Sequence, residues 1–200
     1  MSAISAQAVS SLRNMTGASM MECKHALTEA AGDEKKAVEI LRQKGLKSAE
    51  KRAGRATSQG RVYSYIHHNL RVGVMVQVGC ETDFVSRGEE FEALCRDLCM
   101  HIAAASPVPV AVTAADIPAE MIEEERRVLL GSQDLAGKPE NIREKIVSGR
   151  IEKFVQERAL LEQEDVRDPS IKVGDRVKAL MSRLGENIRV ERFARFELGA

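Results

Sequence analysis

Apolar residues recur along this chain with two different periods, and the change from one to the other divides it. Up to residue 45 they fall at helical spacing, with Ile4, Val9, Leu12 and Met15 in a first group, Met20, Cys23 and Leu27 in a second, and Ala37, Ile40 and Leu41 in a third. Thr16-Gly17 and Ala31-Gly32 supply the breaks, Asp33 can cap the third helix, and Gly45 suits its carboxyl end. The pattern predicts a three-helix domain over residues 1–45. Such a domain buries little surface, so part of its apolar face is expected to be open to a partner.

From Lys44 to Arg61 large apolar residues become scarce, while Lys47, Lys51, Arg52 and Arg55 stand beside Gly54 and Gly60, so residues 46–60 read as a basic linker. The period then drops to two. Val62, Ser64, Ile66 and His68 alternate with Tyr63, Tyr65 and His67, and after Asn69-Leu70-Arg71 the alternating run Val72 to Cys80 returns, which predicts a hairpin. A helix is expected from near Gly88, because Phe91, Leu94, Cys95, Leu98 and Ile102 repeat at helical spacing. The proline-containing stretch Ser106 to Val112 ends it, and further helices are predicted around 121–129, 142–155 and 177–184. The last run carries Ile188, Val190, Ala194, Phe196 and Leu198 on one expected strand face and Arg189, Glu191, Arg195 and Glu197 on the other. The fold class is therefore expected to be α+β. A three-helix domain precedes a core over 61–200, in which a three-stranded antiparallel sheet is covered by helices.

Composition narrows the functions this fold can serve. At 200 residues and 44% hydrophobic, the chain can bury a core. Acidic and basic residues balance at 30 each, so the whole molecule makes no strong electrostatic claim on nucleic acid or on an anionic membrane. Residues 1–60 alone are mildly cationic, with ten Lys or Arg against six Asp or Glu. The opening residues Met1-Ser-Ala-Ile-Ser-Ala-Gln lack the marks of an export or import signal. The longest apolar region, Ile102 to Val112, is broken by Ser106, Pro107 and Pro109 and too short for a bilayer. A cytoplasmic protein without a membrane partner is expected. Cys23, Cys80, Cys95 and Cys99 lie within apolar patterns and read as small buried hydrophobes instead of a disulfide framework.

No catalytic or metal-binding set emerges. On a helix Cys95 and Cys99 share a face, but His101 is turned roughly 200° from Cys99 and cannot join them. The stretch Gly54 to Gly60 has one residue too many for a phosphate-binding loop and lacks the Lys-Ser or Lys-Thr that would follow it. Neither a metal, a cofactor nor an enzymatic activity is expected. A nucleic-acid-binding module would use the basic linker, yet the chain lacks the interleaved aromatics such surfaces often carry.

The most informative residues are Thr82, Asp83, Phe84 and Val85, which follow the second strand and precede the helix. On side-chain chemistry alone two roles stay open. Thr82 or Asp83 can cap a helical turn while Phe84 folds back as core, or Phe84 can project as a wedge. The segment resembles the Thr-Asp-Phe-Val motif of the elongation factor Ts family, the guanine-nucleotide exchange factors of elongation factor Tu. Leu12-Arg13-Asn-Met-Thr16-Gly17-Ala-Ser-Met20-Met21-Glu-Cys23-Lys24-His-Ala-Leu27 is similar to that family's amino-terminal signature, and Gly32-Asp33 followed by Ala37 to Gly45 keeps the family order. The resemblance spans essentially the whole chain. It implies a UBA-like amino-terminal domain, a GTPase contact through Arg13, Met20 and Met21, and a second, magnesium-dislocating contact through Thr82, Asp83, Phe84 and Val85, with Asp83 and Phe84 entering near the partner's magnesium and nucleotide. Longer relatives carry two related half-cores, whereas one is visible here, so the resemblance implies the short form and a homodimer in a 2:2 complex with elongation factor Tu.

Overall fold

The computed structural model describes residues 4–199. They form two compact units, the first made of residues up to Gly60 with Gly79–Gly88 and Val177–Arg189, the second of Arg61–Val78, Glu89–Arg176 and the residues from Val190 onward.

The first unit opens with three helices: α1 (Ala6–Thr16), α2 (Met20–Glu29) and α3 (Glu34–Arg52). Each start is fixed by a side chain that takes an otherwise orphaned backbone N–H. Ser5 Oγ accepts from Ala8, Asp33 from Lys36, and Ser19 forms a capping box in which Glu22 returns a bond to the Ser19 N–H at 2.9 Å. Gly17 ends α1 at φ 70°, where any Cβ is strained. The core between the helices is Val9, Leu12, Cys23, Ala26, Leu27, Ala30 and Ala37. Its small residues allow close helix approach.

Two expectations about this region are corrected. Helix α3 does not stop at Gly45 but continues through Lys47 and Lys51 to Arg52, so the first part of the basic stretch is helical and Ala49 within it is buried. Gly45 serves packing instead: a Cβ there would lie 3.0 Å from Ser182 Oγ. Met15, grouped by spacing with the apolar positions of the first helix, is exposed at 58%, as is Met20 at 47%, for which the resemblance implies a partner contact. The Ala and Cys positions fill the interhelical space without them.

Strands β1 (Gln59–Ile66) and β2 (Val72–Cys80), most of whose residues belong to the second unit, form the expected hairpin, and β5 (Ile188–Glu197) joins β2 to give an antiparallel sheet in the order β1-β2-β5. On β2 the buried Val72, Val74, Val76 and Val78 face inward, toward helix α5 (Glu89–Ala104), whose buried Phe91, Leu94, Cys95, Leu98, Cys99 and Ile102 match the predicted stripe. Cys99 Sγ lies 3.8 Å from the Tyr63 carbonyl, and burial pushes its thiol up to about 12. All four cysteines are buried and unbridged.

The last strand departs from simple alternation. Ile188 and Val190 are buried, but the half-buried positions that follow are Glu191, Phe193 and Arg195, while Ala194 and Phe196 are exposed. The side-chain phase shifts by one residue after Val190, so the single apolar face expected for this strand is divided between both sides. Arg195 reaches the Ala103 carbonyl at 3.5 Å and Arg192 reaches Gln77 on the opposite side at 2.9 Å. The outer face therefore carries Val62, Ile66, Met75, Phe196 and Leu198, all well exposed, with Ile66 lying over Gly73.

Helices α6 (Ala119–Leu130) and α7 (Glu140–Arg158) pack on one another through Leu135, Val147 and Ile151, with Ile122 and Val155 at the margin. A short hairpin that periodicity did not indicate, β3 (Glu164–Asp165) with β4 (Asp168–Lys172), precedes α8 (Val173–Leu184). Asp165 organises it. Its buried carboxylate accepts the Arg167 and Asp168 N–H groups and pairs Arg176 Nε at 2.5 Å. Burial pushes that carboxyl up, but these bonds outweigh it and hold it below the ordinary aspartate value.

His101 joins α5 to this region and was expected only to point away from Cys95 and Cys99. It is buried, with Nδ1 accepting from the Val166 N–H at 3.3 Å and Nε2 bonded to Gln163 Oε1 at 2.9 Å. Gln163 in turn donates to the Pro107 and Glu157 carbonyls. Burial is the main cause that lowers the His101 pKa below its ordinary 6.5. The unfolded chain thus binds the proton more readily, and stability is complete above pH 6.5 and falls as pH drops below it. The unfolding free energy from urea titration is expected to fall between pH 7.5 and 5.5, with this group contributing at most about 1.4 kcal/mol over that span. A His101→Asn variant should be less stable at pH 7.5 and show a smaller decline.

Candidate functional site

β2 leaves the sheet at Cys80, and the next residues build a tip on one helical turn, α4 (Asp83–Ser86). Thr82 is its N-cap, accepting from the Val85 N–H at 3.3 Å, and the Ser86 hydroxyl donates to the Asp83 carbonyl at 2.7 Å. Val85 and Ser86 are buried and pin the turn. Phe84 is 84% exposed. Asp83 stands beside it, paired with Arg87 at 3.1 Å across one turn, an exposed pair that leaves the carboxylate open to exchange partners.

The four residues singled out from the sequence thus divide by role. Thr82 caps, Val85 anchors, and Asp83 and Phe84 face solvent. A Phe held this far from its own core has given up the burial that would stabilise it by roughly 1.5–3 kcal/mol.

The tip is braced from the turn between α8 and β5. Glu186 Oε1 accepts the Thr82 hydroxyl at 2.6 Å and Oε2 accepts the Thr82 N–H at 3.0 Å. Reciprocally, Glu81 Oε1 accepts the Asn187 N–H at 2.6 Å, a bond that, with Arg55, keeps the Glu81 carboxyl below its ordinary value. The buried Asn187 side chain donates to the Ala53 and Arg55 carbonyls, at 3.2 and 2.6 Å. Beneath the tip the Cys80 thiol donates to the Thr82 carbonyl at 3.1 Å, and burial followed by the Glu186 charge raises its pKa. These partners were not identified from sequence. Gly185-Glu186-Asn187 is legible as a turn before a strand, yet nothing local indicates that its carboxylate meets a residue 104 positions away.

Arg13, Met20 and Met21 lie on either side of the α1–α2 turn and are all exposed, Met21 at 61%. Met15 adds a third exposed methionine. A flexible, polarizable group of this kind beside a guanidinium suits an adaptable contact surface. Among the described residues no hydrogen bond or ion pair joins this corner to the tip. Nor does any group of three or more His, Cys, Asp or Glu among them stand where it could hold a metal, and no helix there is long and apolar enough to cross a membrane.

A family model described as Elongation factor TS matches residues 5–200. The chain is 56% identical to an elongation factor Ts of Synechococcus elongatus, covering 100% of this chain and 90% of that one. It is 51% identical to those of Caldanaerobacter subterraneus and Desulfotalea psychrophila, covering 98% and 99% of this chain and 97% and 100% of theirs. With its length matched from residue 5 onward and half of all aligned positions shared, the chain belongs to the elongation factor Ts family.

Proposed function

We propose that this protein promotes exchange of GDP for GTP on elongation factor Tu, presenting Asp83 and Phe84 to the GTPase near its magnesium and nucleotide, and that it stays bound to the nucleotide-free form until GTP arrives. The observation that carries this reading is the exposure of Phe84 on a turn whose other residues are bonded or buried. Family membership supplies the partner. No bond to the nucleotide is made or broken in such a step, so the protein acts by binding alone.

The energetics follow from linkage. A factor that binds the empty GTPase more tightly than the loaded one weakens nucleotide affinity by the same ratio. Burying Phe84 in the partner contributes roughly 1.5–3 kcal/mol, an anchor but only part of that coupling. Asp83 adds a negative charge beside a site that holds a divalent cation, where a competing carboxylate disturbs coordination. Arg13, Met20 and Met21, on the amino-terminal three-helix piece, are read as a second contact that keeps the partners together while the nucleotide leaves. The protein acts in the cytoplasm and needs neither nucleic acid nor membrane for this.

The same reading includes a homodimer. Val62, Ile66, Met75, Phe196 and Leu198 form an uncovered apolar sheet face, and a second copy offers an identical one by twofold symmetry. No cysteine follows Cys99, so the terminal strand offers no covalent link.

Release of labelled GDP from elongation factor Tu tests the central step. The parent protein should accelerate it strongly, and Phe84→Ala should lose about 2 kcal/mol of that effect, roughly 30-fold in rate; equal acceleration by both removes Phe84 from the mechanism. Replacing Met20 and Met21 together by Ala should raise the half-saturating concentration about tenfold. The melting temperature should stay within about 2 °C, as for other surface changes. Sedimentation at micromolar concentration should give a dimer mass, and Val62→Asp with Phe196→Asp should give a folded monomer. A monomeric parent would remove the dimer from the proposal.

A further inference from the structure

Glu186 commits both carboxylate oxygens to one residue, Thr82, whose hydroxyl and backbone N–H are its two donors. Because the hydroxyl hydrogen points at Glu186, the hydroxyl oxygen presents a lone pair to the Val85 N–H. The cap on α4 is thereby oriented by a carboxylate outside α4. This matters because four residues form only one turn, and a single turn closes too few backbone bonds to hold itself against its entropy cost. Charge-assisted bonds to a fixed carboxylate supply the missing constraint.

The base of the clasp is itself held. Asn187 is buried, gives its N–H to Glu81, and bonds the Ala53 and Arg55 carbonyls just beyond α3. Gly185 at φ 74° makes the turn that lets Glu186 and Asn187 engage side by side. Residues 81 and 82 thus exchange backbone donors and carboxylates with residues 186 and 187.

We infer that Glu186 is a positioning residue for nucleotide release, clasping Thr82 so that Asp83 and Phe84 are presented in one orientation before the GTPase is met. The inference rests on the exchange reading above. A tip ordered in advance does not have to be ordered at binding, and the saving appears where the wedge acts, in the release step. Contact through the α1–α2 corner is left unchanged.

The test compares the parent with Glu186→Gln, Thr82→Ser, Thr82→Ala and the double variant Thr82→Ala with Glu186→Gln, each titrated against elongation factor Tu carrying labelled GDP. A carboxamide offers one oxygen and an NH2 group, so it cannot accept both Thr82 donors in this geometry. Glu186→Gln is expected to lower the maximal release rate about tenfold, as for loss of one charge-assisted bond. The half-saturating concentration should stay within about threefold of the parent's. Thr82→Ser, which keeps the hydroxyl, should retain the parent rate, and the double variant should be no slower than the slower single one. Amide hydrogen exchange of the free protein gives a readout independent of the GTPase: the Thr82 and Val85 amides should exchange about tenfold faster in Glu186→Gln, with those of α5 unchanged. A parent-like maximal rate for Glu186→Gln, losses that multiply in the double variant, or equal acceleration of the α5 amides would each overturn the positioning role. If the parent itself fails to release GDP, the exchange reading falls instead, and the amide readout alone decides whether Glu186 holds the tip.

Discussion

A single hydroxyl group, that of Thr82, ties the tip both to its own turn and to a distant carboxylate. Thr82 has to satisfy a short helical turn from within and be restrained from without, and its Oγ does both, accepting from Val85 and donating to Glu186. With those bonds made, the buried Val85 and Ser86 complete the anchorage and Phe84 is left with nowhere to go but solvent. A single exposed apolar side chain is ordinary on a protein surface. Here the surrounding groups are bonded so fully that the exposure is a consequence of the local structure.

The sheet obeys a different constraint. Its inner face is closed by the α5 stripe and the four β2 valines. Once those positions are filled, the residues of opposite phase on β1 and β2 must face outward, and Val62, Ile66 and Met75 are apolar nonetheless. The phase change in β5 adds Phe196 to that side and brings Arg195 to the inner edge, where the Ala103 carbonyl receives it. An alternation read from sequence as one apolar face and one charged face becomes two mixed faces. On the proposed reading, that outer surface is what a second copy covers.

Much of this architecture is written locally. The α5 positions, the β1–β2 hairpin, the caps at Asp33 and Thr82 and the outline of α6, α7 and α8 follow from periodicity and turn chemistry, because each depends on residues within a few positions of one another. What stayed hidden depends on distant partners. Gly45 carries the local marks of a helix end but lies within a helix, because Ser182 packs where a side chain would be. Met15 and Met20 have core spacing but lie outside a core already filled by Cys23, Ala26 and Ala37. For the tip, Asp83 and Phe84 were legible as a motif, while their brace at Glu186 and Asn187 was not, since a hydrogen bond spanning 104 residues leaves no periodic trace.

The two exposed groups proposed to meet the GTPase differ in stiffness, and the difference fits what an exchange factor must do. A wedge that acts on a nucleotide site gains from rigidity, because every rotamer it abandons on binding costs affinity at the step that matters. A contact that must persist from the GDP-bound form through the empty form gains from compliance, and methionines with three rotatable bonds supply it at Met20 and Met21. Rigidity in both places would tie affinity to one state of the partner, and the complex would fail to form or fail to release. Compliance in both would leave Phe84 unable to transmit the 1.5–3 kcal/mol or so that its burial provides. On the proposed reading, placing the stiff element behind bidentate carboxylate bonds and the soft one on a capped helix start separates capture from expulsion, so that each should be alterable by substitution without the other.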